Sequence, residues 1–388
     1  MTEPPRRRFL KTSAAGLAAI GAQPPGASAA VSNSVATSSM IFLQNDNLNL
    51  TPAEVADELA RLCAARNPVA DTYGAGGATE EVENYFAKVL GKERALFLPS
   101  GTLANHLALR ALAGSRRRVV VQDVSHIYND TGDACQTLSG LTLLPLAPER
   151  ATFSWADVER QAAKTASGRV PTAIGAISIE SPVRRLSGEL FDRAELERIC
   201  AAAKKKGIGT HLDGARLFIA SAYTGMSPAE YAAPFDTVYV SLWKTFNTLN
   251  GAILAGPAAL LENLFHMRRM FGGALFNTWP FALLARRYAE GYVERLSAAI
   301  GVSNTFFEKL TGTDFKIDRV PNGTNVFKLT VAASRADRLR ERLLAQGVVL
   351  PAHGNTPAGA MFVLQVNETW NRTTGEKLAE QFQRASSG

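Results

Sequence analysis

The chain has 388 residues, 46% of them hydrophobic and 20% charged, with a formal net charge of +7. That composition is globular, and the length suffices for one large domain and one smaller one. Much of the excess charge sits in Arg6, Arg7, Arg8 and Lys11, and no basic stripe with interleaved aromatics follows, which argues against nucleic-acid binding. Cys63, Cys135 and Cys200 are too few and too scattered for a disulfide framework, and His106, His126, His211, His266 and His353 fall at no metal-ligand spacing. No metal is expected.

Residues 1–29 read as a twin-arginine signal peptide. RRRFLK at 6–11 precedes the weakly apolar TSAAGLAAIGA, and the small residues Ala27, Ser28 and Ala29 resemble a cleavage site. The apolar stretch is too short to span a bilayer, so a periplasmic or secreted location is expected, with no membrane association after processing. Residues 30–45 read as a flexible mature terminus. Thr51-Pro52 starts a helix through AEVADELARLCAA. The Gly-rich DTYGAGGAT (71–79) leads into a helix that ends at Gly91. The chain then alternates. Strands are predicted at 95–100, 118–123, 173–180, 208–213, 237–241 and 252–256, with amphipathic helices between the earlier ones. Such alternation implies a mostly parallel sheet covered on both faces. Long helices follow at 257–270 and about 279–299. TNVFKLTV, SRADRLRERLLAQG, MFVLQV and GEKLAEQFQRA then read as strand, helix, strand and helix of a small unit. The fold expected is α/β, with a mostly parallel large domain at 46–300 and a small C-terminal α/β domain at 301–388.

Three segments carry chemistry. TVYVSLWKTFNTLNGAILAG (237–256) delivers Lys244 to the end of an apolar strand. HLDGARLF (211–218) places Asp213 and Arg216 at the end of an earlier strand. A lysine amine beside a carboxylate at neighbouring strand ends is what pyridoxal 5'-phosphate (PLP) requires. The amine forms a Schiff base, and the carboxylate keeps the pyridine nitrogen protonated. Ser100, Gly101 and Thr102 follow a strand and open a helix, a cradle for a phosphate. No GxGxxG or GxxxxGK[ST] follows the early strands, which argues against a nucleotide site.

In chain order, DTYGAGGAT, FLPSGTLANHLAL, DVSHIYNDTGDA, ESPVRRLSGE, HLDGARLF and SLWKTFNTLNGAILAG resemble the threonine aldolase / β-eliminating lyase branch of the fold-type-I PLP enzymes. The resemblance runs from about residue 46 to 271. It implies that Lys244 is the cofactor lysine, that Asp213 pairs with the pyridine nitrogen, and that His126 stacks on the ring and moves protons. It implies phosphate contacts at Ser100, Gly101 and Thr102, and Arg216 near the phenolate oxygen or substrate. Tyr73, Glu180 and Arg185 are candidate substrate contacts, and His211 is structural. A homodimer or homotetramer acting on a small amino acid is implied, with Cα–Cβ cleavage to glycine and an aldehyde as the leading reaction and β-elimination second. Three departures stand out. Trp243 replaces the family's serine before the lysine, and Phe276 and Phe362 stand where the aldolases carry substrate-binding arginines. Arg184, Arg185 or His353 are candidate replacements. A binding protein with impaired catalysis is the alternative reading.

Overall fold

The computed structural model describes residues 37–387 except Gly312. The signal-peptide expectation for 1–29 lies outside the described residues. The main sheet uses the alternation seen in the sequence. A two-residue strand, β1 (Ile41–Phe42), comes first. It is followed by β2 (Arg94–Leu98), β3 (Arg118–Gln122), β4 (Thr142–Leu146), β5 (Ile174–Glu180), β6 (Gly209–Asp213), β7 (Thr237–Ser241) and β8 (Ala252–Gly256). The last seven form one sheet in the order β2-β8-β7-β6-β5-β3-β4. β8 runs antiparallel to β2 and β7, and every other pairing is parallel. β5, β7 and β8 are buried throughout, as expected of strands covered on both faces. β4 went unread in the sequence because Pro145 interrupts it. As an edge strand that pairs with β3 alone, it tolerates that missing donor.

The C-terminal section adds β9 (Lys316–Arg319), β10 (Val326–Val331), β11 (Val348–Val349), β12 (Gly354–Thr356) and β13 (Gly359–Gln365). β12-β13-β10-β9 make a four-stranded antiparallel sheet, and β11 pairs in parallel with β1. The stretch expected to be flexible therefore corrects at its C-terminal end. Met40 to Leu43 are buried, the Phe42 amide donates to Thr369 Oγ1 (2.9 Å), and Asn367 Nδ2 donates to the Phe42 carbonyl (3.0 Å). Apolar MIFL is better placed in a core than in water.

Helix ends follow their local chemistry. Thr51 and Glu54 form a reciprocal capping box ahead of Pro52–Arg66. The helix expected from Trp279 to about Ala299 is instead two, Trp279–Ala289 and Tyr292–Leu310, because Gly291 takes a φ of 67° and breaks it. The second of these runs past residue 300, so the expected domain boundary falls inside a helix. Its buried face carries the core without interruption from Phe218 and Tyr292 to Phe306, Trp370 and Phe382.

Asp71 ties the Gly-rich loop to the start of Trp279–Ala289. It is fully buried and accepts from the amides of Gly74 (2.8 Å), Thr278 (2.7 Å) and Trp279 (2.7 Å). Burial alone raises its pKa, but these N–H donors win and hold the carboxyl below its ordinary 3.8. Asp71→Ala is expected to cost about 1–3 kcal/mol in urea unfolding. The depressed pKa gives stability that is present above pH 3.8 and lost as pH falls through the lower folded-state value, so the variant should show a shallower loss below that pH.

Candidate active site

Parallel sheets present their ligand sites at the carboxyl ends of the strands. Here the register sets Glu180 of β5 beside Asp213 of β6, and Asp213 beside Tyr239 of β7. These ends open into a cleft lined by Gly101, Asn105, His126, Glu180, Arg184, Asp213, Ala215, Arg216, Tyr239 and Lys244. Of the residues expected from the sequence, Gly101, His126, Glu180, Asp213, Arg216 and Lys244 meet here. Ser100 and Thr102 flank Gly101, and the Ser100 hydroxyl caps the helix Gly101–Ala113 by accepting from the Leu103 amide (3.3 Å). Tyr73 and Arg185 are not on the cleft wall. Tyr73 is exposed, packed edge to face on Phe276 with ring centroids 5.3 Å apart.

Asp213 is buried. Its Oδ2 accepts from Asn105 Nδ2 (2.6 Å) and its Oδ1 from the Ala215 amide (3.2 Å). Because Asn105 donates through its nitrogen, its oxygen must accept, and His211 Nε2 is the donor (2.8 Å). His211 Nδ1 then accepts from the Thr237 hydroxyl (2.8 Å). Burial takes the His211 pKa down to about 4, so the ring stays neutral and carries the single proton this chain of bonds needs. Asn105 was missed in the sequence, although it lies four residues after Gly101 on one helix face.

Glu180 accepts from the amides of His126 (2.6 Å) and Arg184 (2.8 Å), and Gln122 clips the same strand end through Nε2 to the Glu180 carbonyl (2.8 Å). Burial, then the charge of Asp213, pushes the Glu180 carboxyl up to about 7. Burial also lowers His126, whose Nδ1 is buried without a partner. Lys244 is brought down to about 8, by burial first and by Arg216 second. Its Nζ sits 5.5 Å from the ring centroid of Trp243. Arg216 donates through Nε to Asp46 (2.8 Å), a pairing 170 residues apart that no local pattern foretells.

The residues present fit PLP. Lys244 is a weakly basic amine, Asp213 is a buried carboxylate held in place, and His126 offers an unpartnered ring nitrogen. At Gly101 an added Cβ would overlap the Tyr239 hydroxyl, so this helix start admits no side chain. Among the described residues, no cluster of His, Cys, Asp or Glu is arranged to hold a metal, and no helix is long and apolar enough to cross a membrane.

Phe362 lies on β13 of the small antiparallel sheet. It is fully buried on the core face of β13, while Gln365 on the opposite face reaches Asp46 (3.4 Å). Strand alternation puts Met361 and Val363 on the Gln365 face, so this stretch of β13 sets no cation beside Asp46.

Fold and strand-end site together define the fold-type-I class of PLP enzymes. A sequence model of the β-eliminating lyase family matches residues 52–333, and the chain belongs to that family. It is 29% identical over 232 residues to a probable low-specificity L-threonine aldolase of Schizosaccharomyces pombe, covering 60% of this chain and 61% of that protein. It is 32% identical over 200 residues to alanine racemase TOXG of Cochliobolus carbonum, covering 51% of this chain and 50% of that one. The chain thus spans half to three-fifths of these curated relatives. A crystal structure of a putative L-allo-threonine aldolase from Listeria monocytogenes superposes with a TM-score of 0.73 at 28% identity, covering 90% of this chain and 97% of that one.

Three outcomes follow from the site. Asn105→Leu leaves His211 and Asp213 each short of a partner, and should cost about 1–3 kcal/mol in thermal unfolding. The rate at which cofactor-free protein captures PLP, followed by absorbance, should rise with pH and level off above about 8, where Lys244 is neutral. Lys244→Ala should abolish the capture.

Proposed function

We propose that this chain is a PLP-dependent lyase of amino acids that cleaves the Cα–Cβ bond of a β-hydroxy amino acid to glycine and an aldehyde. The observation that carries the proposal is the meeting of Lys244, Asp213 and His126 in one buried cleft. The printed activities of the S. pombe and L. monocytogenes relatives support it.

PLP bound here would be held by Lys244, by Asp213 and by the helix start at Gly101, and would supply the electron sink that bond breaking at Cα requires. The rest of the chemistry falls to side chains. Cleavage requires a base for the β-hydroxyl proton. His126, its pKa lowered by burial, is neutral near pH 7 and has a free nitrogen to accept that proton. The Lys244 amine, with its pKa near 8, can return a proton to Cα of the glycine product. Asn105 and the Ala215 amide orient Asp213. β-Elimination calls on the same three groups, and an assay for pyruvate or another keto acid separates it from aldol cleavage.

The same reading includes export through the RRRFLK segment and assembly as a homodimer or homotetramer. Tyr73 and Phe276, both exposed, put an apolar pair on the surface, which supports assembly.

The test uses full-length protein with PLP and L-threonine or L-allo-threonine. Wild type should acquire a visible cofactor band and release glycine, and Lys244→Ala should lose both. His126→Ala should keep the band while kcat falls roughly 10²-fold or more. A wild type that takes up no PLP overturns the proposal.

A further inference from the structure

Two arginines, Arg184 and Arg216, line the cleft, and their charges are spent differently. Arg216 is buried against Asp46, with side-chain exposures of 13% and 4%, so that pair is internally neutralised. Arg184 is on the 3-10 turn Arg184–Leu186 that follows β5. Its Nη2 donates to Asp130 Oδ2 (2.7 Å), and Arg185 Nη2 donates to Asp130 Oδ1 (2.7 Å). Two cations thus share one carboxylate, which leaves that cluster with one positive charge in excess. The backbone beneath is fixed as well, since Glu180 accepts the amides of both Arg184 and His126. A guanidinium braced from below and from the side loses little freedom when it binds an anion, and its planar fork suits a carboxylate.

The other candidates do not reach the cleft. Arg185 is not on its wall. His353 is taken up by Asp337 (3.2 Å) and by Phe362 at 5.4 Å between ring centroids. Phe276 is exposed beside Tyr73.

We infer that Arg184, braced by Asp130, is the residue that recognises a carboxylate of the substrate in this chain. The inference rests on the amino-acid reading above. A carboxylate could come from two places, the α-carboxylate common to every amino acid or a second one on the substrate side chain, facing His126.

The experiment compares wild type, Arg184→Gln and Arg184→Lys as PLP-loaded full-length proteins. Each is titrated with L-threonine, L-threonine methyl ester and β-hydroxyaspartate. Binding is read from the change in cofactor absorbance, and kcat and KM are read separately. Arg184→Gln should keep its cofactor band while its affinity for the recognised carboxylate falls on the order of 10- to 100-fold, with partial recovery in Arg184→Lys. Loss for L-threonine and β-hydroxyaspartate alike, with the preference over the ester erased, assigns the α-carboxylate. Loss for β-hydroxyaspartate alone assigns a side-chain carboxylate. Unchanged affinity for both acids overturns the inference and leaves the proposed function standing. Failure of wild type to take up PLP, or to respond to any amino acid, overturns both.

Discussion

A carboxylate buried at the end of a central strand constrains the rest of this structure. Asp213 lies where water cannot serve it, and an unpartnered buried carboxylate costs several kcal/mol. The chain surrounds it with a donor on a helix, a backbone amide on its own turn, and a lysine across the next strand. Each partner is itself committed. Asn105 can turn its amide nitrogen to Asp213 because His211 supplies a proton to its oxygen, and His211 can do so because Thr237 satisfies its other nitrogen. The bonds run in one direction from a strand hydroxyl to the carboxylate, and each polarises the next. The register of β5, β6 and β7 then sets Glu180 and Tyr239 at either side of Asp213.

A second constraint joins distant parts of the chain. Asp46, just after the buried MIFL segment, receives Arg216 from the end of β6, Asn325 Nδ2 (3.0 Å) from the turn before β10, and Gln365 from β13. One carboxylate therefore ties the N-terminal segment and the small sheet to a side chain of the cleft. A buried arginine is tolerable only with such a partner. The position of Arg216 is thus a property of three segments, although its own motif is four residues long.

Acidity in the cleft is set by the same crowding. Burial drives Lys244 and His126 toward their neutral forms and Glu180 toward protonation. Glu180, pushed up to about 7, and Lys244, brought down to about 8, are thereby drawn together near neutral pH, where proton exchange with a substrate costs least.

The alternation of strands and helices, the placement of Lys244, Asp213 and Gly101 at element ends, and the family to which those motifs point were all legible in the sequence. These are local matters of periodicity, caps and short spacings, and they are readable in windows of a few residues. Local reading missed the burial of residues 40–43 and the break in the helix after Trp279, because one turned on packing and the other on a single left-handed glycine. Folding alone settled that Asn105 serves Asp213, that Asp46 neutralises Arg216, and that Arg184 lines the cleft while Arg185 and His353 do not. Those pairings join residues tens to hundreds of positions apart. They form because burying one charged or polar group obliges the fold to bring up another, whatever its place in the chain.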